Sequence, residues 1–424
     1  MNQSDLSPGQ ARLQSPAVEA KSSPANALAP SHLGKRLSRR LSALLCLSDF
    51  EVAAQRHLPR PIFGYIFGAA EENVSVTDNR RVFDRYRFVP RILVDVSNRS
   101  QQTHLFGKTY DAPFGVAPMG ISALSAYRGD LVLAQAASQA NIPMIMSGSS
   151  LIRLEEVAQQ GGDPWFQAYL PGNEADIVAL IKRVELAGFE KLVITVDTPV
   201  PGNRENNVRA GFSTPLRPNL RLALDGISHP RWMFGTFLRT VLHHGVPHFE
   251  NNYAHRGAPI ISPSVERDFA SRGHLNWHHL ALIRRIWSGT LIVKGILHKA
   301  DARLACELGV DGLIVSNHGG RQLDGAVTPL DVLAGIVEAC GSIPVMVDSG
   351  FRRGTDVLKA LALGARFVFI GRPFGYAAAI GGAAGVSHAI HLLKEEISRD
   401  MGMLGICSVE EMTALEMLPV SHCH

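Results

Sequence analysis

The chain has 424 residues, a hydrophobic content of 46%, a charged content of 19% and a formal net charge of +4. This length suits one α/β barrel of about 250 to 350 residues with extensions, and the composition is that of a globular protein with a sizeable core. The small net charge gives no indication of nucleic-acid binding, so no nucleic-acid partner is expected.

The cysteines and the apolar runs limit where the protein resides. Five cysteines are scattered without a CxxC pair, which is typical of reduced thiols in a cytoplasmic protein. The terminal His422-Cys423-His424 cannot supply a preorganised ligand shell, and no metal site is predicted. No apolar run reaches the roughly 18 residues that span a bilayer, and residues 41–47 are too short and too late for a signal peptide.

Residues 1–47 are predicted to form a disordered basic tail ahead of a catalytic domain over residues 48–424. Residues 1–31 contain Ser, Pro, Ala and Gln with almost no large apolar residues, so burial cannot offset the entropy of ordering them. A basic cluster follows, made of Lys35, Arg36, Arg39 and Arg40. It could adhere to anionic lipid at about 1 kcal/mol per basic residue. A solvated helix start is the more common alternative.

Apolar residues recur at helical spacing from Ser48 to Pro59-Arg60-Pro61, where two prolines interrupt the helical pattern. The next segment, residues 62–72, is also helical in pattern and contains Tyr65. A tyrosine on such a mixed helix usually packs with its hydroxyl at the rim of the core. These segments predict an N-terminal helical extension.

The remainder of the chain alternates short apolar strands with helical stretches, which is the pattern of a parallel sheet or barrel. Eight strands are predicted near residues 114–118, 144–147, 165–170, 192–197, 291–295, 312–317, 345–350 and 367–373. Each strand ends in a polar or Gly-containing stretch, where parallel barrels keep their active sites. The sequence therefore predicts an α/β protein with a (β/α)8 TIM barrel.

The sixth predicted strand runs directly into the sequence SNHGGRQLD over residues 316–324. The two glycines between His318 and Arg321 allow the backbone to approach a flat ligand and direct both side chains into one cavity. Histidine can move a proton near neutral pH, and arginine can bind a carboxylate through two charge-assisted hydrogen bonds. Together they suit a small acid with a removable proton. A lone histidine beside a strand is as often a satisfied structural residue.

This stretch resembles the active-site signature of the FMN-dependent α-hydroxy-acid oxidising family, which includes glycolate oxidase and the L-lactate and mandelate dehydrogenases. The matching motifs run in the family's order from about Tyr65 to Arg372. The resemblance implies a TIM barrel, FMN as cofactor and a small L-2-hydroxy acid as substrate. It also implies a homotetramer.

The resemblance assigns the catalytic roles to His318, Asp197, Tyr169 and Lys294. Asp197 is expected to hold the His318 ring and stabilise its protonated form, although an aspartate at a barrel rim could also cap a helix. Lys294 ends a buried apolar run and needs a counter-charge, and in relatives it stabilises the negative charge of reduced flavin. The substrate is assigned to His318 and Tyr169 and to three further residues, Tyr65, Arg204 and Arg321.

The residues implied to bind FMN are Pro118, Met119, Gly120, Ser147, Gln167, Thr195, Lys294, Ser316, Asp348, Gly350, Arg352, Gly371 and Arg372. Small residues after the first two strands would let the backbone lie against the flavin ring, with ordinary turn chemistry as the alternative. Amides and helix N-termini after the last two strands would bind the phosphate. Gly148, where many relatives carry Ser or Ala, is expected to leave more space beside the reactive flavin atom.

A long connection of about residues 202–277 separates the fourth and fifth predicted strands and is rich in His, Arg and aromatic residues. In the family this connection varies most, and in some mandelate and lactate dehydrogenases it contacts the membrane. A mobile lid is the alternative, and mobility is predicted here. This segment, with its His229-Pro230-Arg231-Trp232, resembles membrane-associated lactate dehydrogenases. The resemblance implies a dehydrogenase on the inner face of the cell membrane that passes electrons to quinone or another acceptor.

The best prediction for the reaction is oxidation of L-lactate to pyruvate. The alternatives are (S)-mandelate dehydrogenase, a peroxide-forming 2-hydroxy-acid oxidase and an FMN-dependent barrel isomerase. The isomerase would give no net flavin reduction, and the His318 and Arg321 pair argues against it.

Overall fold

A closed barrel of eight parallel strands forms the centre of the computed structural model, which describes residues 37–213, 215–217, 220–264 and 272–420. In chain order the strands are Phe114–Val116, Met144–Ser147, Pro164–Ala168, Lys191–Thr195, Thr290–Ile296, Gly312–Val315, Val345–Val347 and Phe367–Ile370. Each strand pairs with its sequence neighbour, and the eighth closes onto the first. The predicted barrel and its eight strands are confirmed.

The barrel interior is filled by side chains, so the cylinder is a packed core with one open end. Trp165, Ile292 and Phe369 are among the side chains that fill the interior. A hairpin of strands Thr103–Leu105 and Lys108–Tyr110 covers the amino-terminal end. Its Phe106 ring lies 5.6 Å from the ring of Trp165. The large cavity therefore lies at the opposite end, where the strands have their carboxyl termini.

Helices surround the barrel and bury one face each against it. The principal ones are Gly129–Gln139, Leu154–Ala158, Glu174–Leu186, Trp277–Ile286, Lys299–Glu307, Pro329–Cys340, Gly354–Ala362 and Arg372–Leu404, with a short 3-10 turn at Ser122–Leu124. The sequence defines their starts locally: the Asn173 side chain accepts a hydrogen bond from the amide of Asp176 at 2.9 Å.

The N-terminal extension begins earlier than predicted. It consists of helices Arg39–Ser42, Leu47–His57, Arg60–Phe67 and Val74–Arg81 and a 3-10 turn at Val82–Arg85. Leu41 and Leu47 are buried, so the predicted tail boundary at residue 47 is corrected to the first helix. Leu47 packs in the same buried cluster as Phe50, and Leu41 lies against Gly381, so burial offsets the entropy of ordering the segment. Lys35 and Arg36 lie outside the described residues, as does His422-Cys423-His424.

The long connection after the fourth strand is folded into helices where it is described, and the mobility of this segment stays a prediction. It forms helices Glu205–Ala210, Leu220–Ser228, Pro230–Trp232 and Arg239–His244, with a π-helical turn at Met233–Leu238. Trp232 is buried, and its indole Nε1 donates to the carbonyl of Leu124 at 2.8 Å. This tryptophan therefore anchors the insertion to the barrel.

The C-terminal segment closes the fold. Among the described residues, one helix, Arg372–Leu404, is long and apolar enough to cross a membrane. No such helix was predicted from the sequence. It packs against Leu47–His57 and Gly129–Gln139 and is interrupted at Gly382, which has φ 56. It is therefore a core helix. A 3-10 turn at Val409–Ala414 follows, and strand Met417–Pro419 pairs antiparallel with Tyr86–Phe88.

A buried carboxylate, Asp163, ties the amino-terminal end of the barrel together. It accepts hydrogen bonds from Lys108 at 2.7 Å, Lys191 at 2.9 Å and the Trp165 indole at 2.9 Å, and also from the Tyr110 hydroxyl. Burial works to raise the pKa of Asp163, but the hydrogen bonds from Lys108, Tyr110 and Lys191 outweigh it and the pKa is lowered.

Asp163→Asn should lower the free energy of unfolding by about 3 to 5 kcal/mol, because it leaves a buried lysine without its carboxylate. Because the folded-state pKa is lowered, this stabilisation is present above the ordinary aspartate pKa and is lost as pH falls through the folded value. Urea unfolding at several pH values measures both effects. The control is Glu190→Gln, whose exposed carboxylate lies 3.4 Å from Lys108 and should contribute about 1 kcal/mol or less. Equal losses in the two variants would contradict this account.

Candidate active site

A cavity of about 990 Å³ opens at the carboxyl-terminal ends of the strands. All but four of the predicted site residues line it, and the four exceptions are Ser147, Gln167, Asp197 and Ser316. These four lie directly behind the wall, where each is hydrogen-bonded to another site residue. The structure thus brings residues that are up to about 300 positions apart in the chain around one cavity.

His318 lies between a carboxylate and a phenol. Its Nδ1 lies 3.0 Å from Asp197 Oδ1, and its Nε2 lies 3.4 Å from the Tyr169 hydroxyl. A carboxylate at Nδ1 fixes the proton on that nitrogen, which leaves the Nε2 lone pair for another proton. His318 has φ 57, a left-handed conformation that is uncommon for a non-glycine residue and is associated with functional sites.

The electrostatic surroundings keep His318 neutral and Asp197 charged. Burial lowers the pKa of His318, and Lys294 and Arg204 lower it further, against the opposing attraction of Asp197. Burial works to raise the pKa of Asp197, but His318 and Lys294 outweigh it and the pKa is lowered. A neutral imidazole beside a fixed carboxylate can accept a proton and be stabilised when it does so.

Lys294 has the counter-charge that its buried position requires. Its ammonium lies 3.1 Å from Asp348 Oδ2 and donates to the Ser316 hydroxyl at 2.8 Å. Burial works to lower the pKa of Lys294, but Asp348 and Asp197 outweigh it and the pKa is raised. The lysine therefore remains a permanent positive charge in the cavity wall. Asp348, which was expected among the FMN-binding residues, pairs with Lys294 in the structure.

Two arginines, Arg204 and Arg321, lie on the same wall as Tyr65. Arg321 donates from Nη1 to the carbonyl of Tyr65 at 2.8 Å, and its guanidinium carbon is 5.0 Å from the centre of the Tyr65 ring. Arg204 Nε donates to the carbonyl of Arg321 at 3.1 Å. Burial and the neighbouring Arg204 lower the pKa of Arg321 to about 9, so it stays charged at neutral pH. Both guanidinium groups are held in place by the protein and present positive charge to the cavity.

The residues expected to bind the phosphate lie together at the ends of the seventh and eighth strands. Gly350, Arg352, Gly371 and Arg372 line this part of the cavity, immediately before helices Gly354–Ala362 and Arg372–Leu404. The Arg372 guanidinium is held by three carbonyls, those of Ile66, Gly319 and Gly68, at 3.0 to 3.2 Å. Amides and fixed cations at two helix starts provide the donors that a phosphate group needs.

A buried amide with an unused donor supports the flavin assignment. Gln167 Oε1 accepts from the Ser147 hydroxyl at 3.2 Å and from the Gly148 amide at 3.3 Å. Gln167 Nε2 is buried and has no hydrogen-bond partner within the described part of the chain. A buried polar group normally has a partner, and a polar flavin edge would supply one. The residues present therefore fit FMN, whose ring Lys294 would contact and whose phosphate the residues at the ends of the last two strands would hold.

The glycine predictions need two corrections. A Cβ on Gly148 would lie 2.8 Å from the carbonyl oxygen of Gln167. The side-chain position of Gly148 therefore faces the neighbouring strand, and the missing side chain creates no space beside the flavin. In the signature, a Cβ on Gly320 would lie 2.6 Å from the amide nitrogen of Val76. Gly320, with φ 74, is thus required by the approach of the N-terminal extension, where a ligand had been predicted as the reason.

The sequence reasoning missed Arg272, which lines the cavity and is buried. Its guanidinium carbon lies 5.0 Å from the centre of the Tyr169 ring. It also missed Ser149 and Phe212, which line the same cavity. Arg272 and Phe212 occur within the long insertion, where no strand pattern marks a position as part of the site.

A carboxylate-held histidine, a positively charged cavity and residues that fit FMN are the features of a flavin-dependent barrel oxidoreductase. The family model for FMN-dependent dehydrogenase matches residues 54–418. The (S)-mandelate dehydrogenase of Pseudomonas putida is 38% identical over 371 residues, 87% of this chain and 93% of that protein. The L-lactate oxidase of Lysinibacillus sphaericus (strain C3-41) is 38% identical over 394 residues, 91% of this chain and 95% of that protein.

A solved structure agrees with these relatives. The crystal structure of monotopic membrane protein (S)-mandelate dehydrogenase has a TM-score of 0.81 and 37% identity, and covers 88% of this chain and 99% of that one. The chain therefore belongs to the FMN-dependent 2-hydroxy-acid dehydrogenase family. Its cofactor is FMN, and it is an oxidoreductase of 2-hydroxy acids.

Asp197→Asn should slow anaerobic flavin reduction by about 10²- to 10⁴-fold, because the protonated His318 loses the carboxylate that stabilises it. The wild-type rate should rise with pH through the lowered pKa of His318. Since Asp197 works to raise that pKa, the acid limb should move to lower pH in the variant. Stopped-flow reduction across pH measures both effects, with exposed Asp95→Asn as the control. An unchanged rate and an unchanged acid limb would exclude the pairing.

Proposed function

We propose that this protein is an L-2-hydroxy-acid dehydrogenase that delivers electrons to quinone at the membrane surface. The observation that supports it most directly is the position of His318 Nε2, which faces the same cavity as Arg204 and Arg321 while Asp197 holds Nδ1. The homotetramer expected from the resemblance is part of this proposal.

The cavity residues have separate roles in the proposed reaction. Arg321, Arg204 and Tyr65 bind the substrate carboxylate, which orients the carbinol carbon toward His318. His318 takes a proton at Nε2, and Asp197 stabilises the resulting positive charge through Nδ1. Tyr169, whose hydroxyl is 3.4 Å from Nε2, orients the substrate oxygen. FMN, when bound, accepts two electrons, and Lys294 supplies the positive charge beside it.

L-Lactate, oxidised to pyruvate, carries every group these residues use: a carboxylate, a hydroxyl group and a removable proton on the carbinol carbon. A second candidate, (S)-mandelate, is supported by the small side chain of Ser149 in the cavity wall. The relatives include both a mandelate dehydrogenase and a lactate oxidase.

Anaerobic addition of L-lactate or (S)-mandelate should bleach the absorbance of bound FMN, and the reduced enzyme should reoxidise faster with a soluble quinone than with oxygen. Absorbance spectroscopy follows the flavin, and a peroxide assay in air separates the two acceptors. Stoichiometric peroxide without quinone reduction would instead make the protein an oxidase. An isomerase would show substrate conversion without bleaching.

The insertion presents an apolar surface of the kind that enters a lipid headgroup region. Leu220, Leu224 and Ile227 are 76%, 59% and 65% exposed and share one face of helix Leu220–Ser228. Phe234 and other apolar residues of the following helices are also exposed. Contiguous exposed apolar surfaces on a globular protein mark interaction sites. The exposed Arg231 and Arg239 in the same segment favour an anionic membrane. Binding at the membrane would also place the protein beside quinone, the proposed electron acceptor.

Leu224→Glu combined with Ile227→Glu should reduce binding to anionic phospholipid vesicles by about tenfold or more, because the helix loses apolar area that would be buried in lipid. Vesicle co-sedimentation measures the binding, and flavin reduction by substrate should be unaffected. The matched control is Leu186→Glu, an 88% exposed leucine on a barrel helix. Equal binding by the double variant and the wild type would remove this surface from the proposal.

A further inference from the structure

We propose that Asp130 is a positioning residue for the cofactor, because its buried carboxylate joins the loops that follow the first and second barrel strands. The first loop spans residues 117–122 and contains Met119 and Gly120, which are assigned to FMN, and the second loop spans residues 148–153. The inference rests on this assignment of FMN-binding residues. It is independent of the substrate and of the electron acceptor.

Asp130 connects the two loops through one oxygen atom. Its Oδ2 accepts a hydrogen bond from the Ser122 hydroxyl at 2.6 Å and another from the Ser150 hydroxyl at 2.7 Å. The aspartate is 1% exposed and lies in the first turn of helix Gly129–Gln139, which packs against the barrel. A barrel helix therefore holds both loops at a single buried point.

Each of the two serines adjoins the cavity. Ser122 lines it directly, and Ser150 follows Ser149, which also lines it. The amide of Ser150 donates to the carbonyl of Ser147 at 3.0 Å, and the Ser147 hydroxyl donates to Gln167 Oε1 at 3.2 Å. The second loop is thus continuous with the contacts that orient Gln167, the amide whose unused donor fits a flavin edge.

The first loop needs an anchor because its backbone is strained at Ile121. This residue has φ 50, a left-handed conformation that is unfavourable for a β-branched side chain and persists only where surrounding contacts fix it. The Ile121 amide donates to the carbonyl of Ser149 at 3.1 Å, and Asp130 holds the next residue, Ser122. Without the carboxylate, the loop would lose one of the contacts that oppose relaxation of this strain.

The chemistry of the carboxylate makes it a strong acceptor. Burial raises the pKa of Asp130 to about 6, against the hydrogen bonds from Ser122 and Ser150, so the group is mostly ionised at neutral pH. Hydrogen bonds to a charged acceptor are stronger than those between neutral groups. Asp130 Oδ1 is buried and has no hydrogen-bond partner within the described residues, so both bonds depend on Oδ2. Asparagine can keep these two bonds through its carbonyl oxygen, whereas alanine cannot.

The experiment measures the dissociation constant of FMN by diluting the FMN-loaded protein and following the fluorescence of released flavin. Asp130→Ala should weaken FMN binding by about tenfold or more and change the visible circular dichroism of the bound flavin, because two hydrogen bonds to a charged group are lost. Asp130→Asn should stay within about threefold of the wild type, since it keeps an acceptor. The control is Asp163→Asn, which changes a buried carboxylate at the opposite end of the barrel. It should lower the thermal unfolding temperature and leave FMN affinity unchanged.

A merely structural Asp130 would behave like Asp163. Lower thermal stability of Asp130→Ala with wild-type FMN affinity and dichroism would therefore overturn the inference, and so would equal weakening in Asp130→Asn and Asp130→Ala. If Asp130→Ala fails to fold, Ser150→Ala decides the question, because it removes one of the two bonds. FMN binding that is weaker by about threefold or more in Ser150→Ala supports the inference, and unchanged binding overturns it. The proposed dehydrogenase function is tested separately, since FMN release requires neither substrate nor quinone.

Discussion

The site depends on two side-chain pairs buried at one end of the barrel, one between a carboxylate and a neutral imidazole and one between opposite charges. Asp197 faces His318 at 3.0 Å, and Lys294 faces Asp348 at 3.1 Å. A buried charge is costly unless a partner compensates it, so each of these groups is tolerable only where the other is fixed. Asp197, His318 and Asp348 follow the fourth, sixth and seventh strands, and Lys294 lies near the end of the fifth. The closed barrel holds neighbouring strand ends at hydrogen-bonding distance. Fold and reactivity are therefore linked through the same contacts.

The two ends of the barrel serve different purposes. At the amino-terminal end, Asp163 accepts hydrogen bonds from lysine, tyrosine and tryptophan side chains, and the hairpin covers the end of the barrel. At the carboxyl-terminal end, the cavity is lined by cations. An anionic cofactor and an acidic substrate supply the negative charge that this lining lacks, so binding and charge neutralisation occur together. The N-terminal extension completes this end, since Arg321 and Arg372 are held by its backbone carbonyls.

Much of this arrangement could be predicted from the sequence. The strands are short β-branched or aromatic runs buried on both faces, such as Gly312–Val315, and their order defines the barrel. The motif around His318 located the base, and the resemblance supplied its partners. The pairing of Lys294 with Asp348 and the position of Arg272 could not be predicted, because they depend on distances between strands or on an insertion without periodic pattern. The burial of Leu41 was missed because its partner, Gly381, is distant in sequence.

The most direct test of the central claim is anaerobic stopped-flow reduction of FMN-loaded His318→Gln by a 2-hydroxy acid. Glutamine keeps a polar side chain of similar size but cannot take the proton. The account predicts that the variant binds FMN and substrate with nearly unchanged affinity while flavin reduction slows by about 10²-fold or more. Reduction at the wild-type rate with both ligands bound would contradict it.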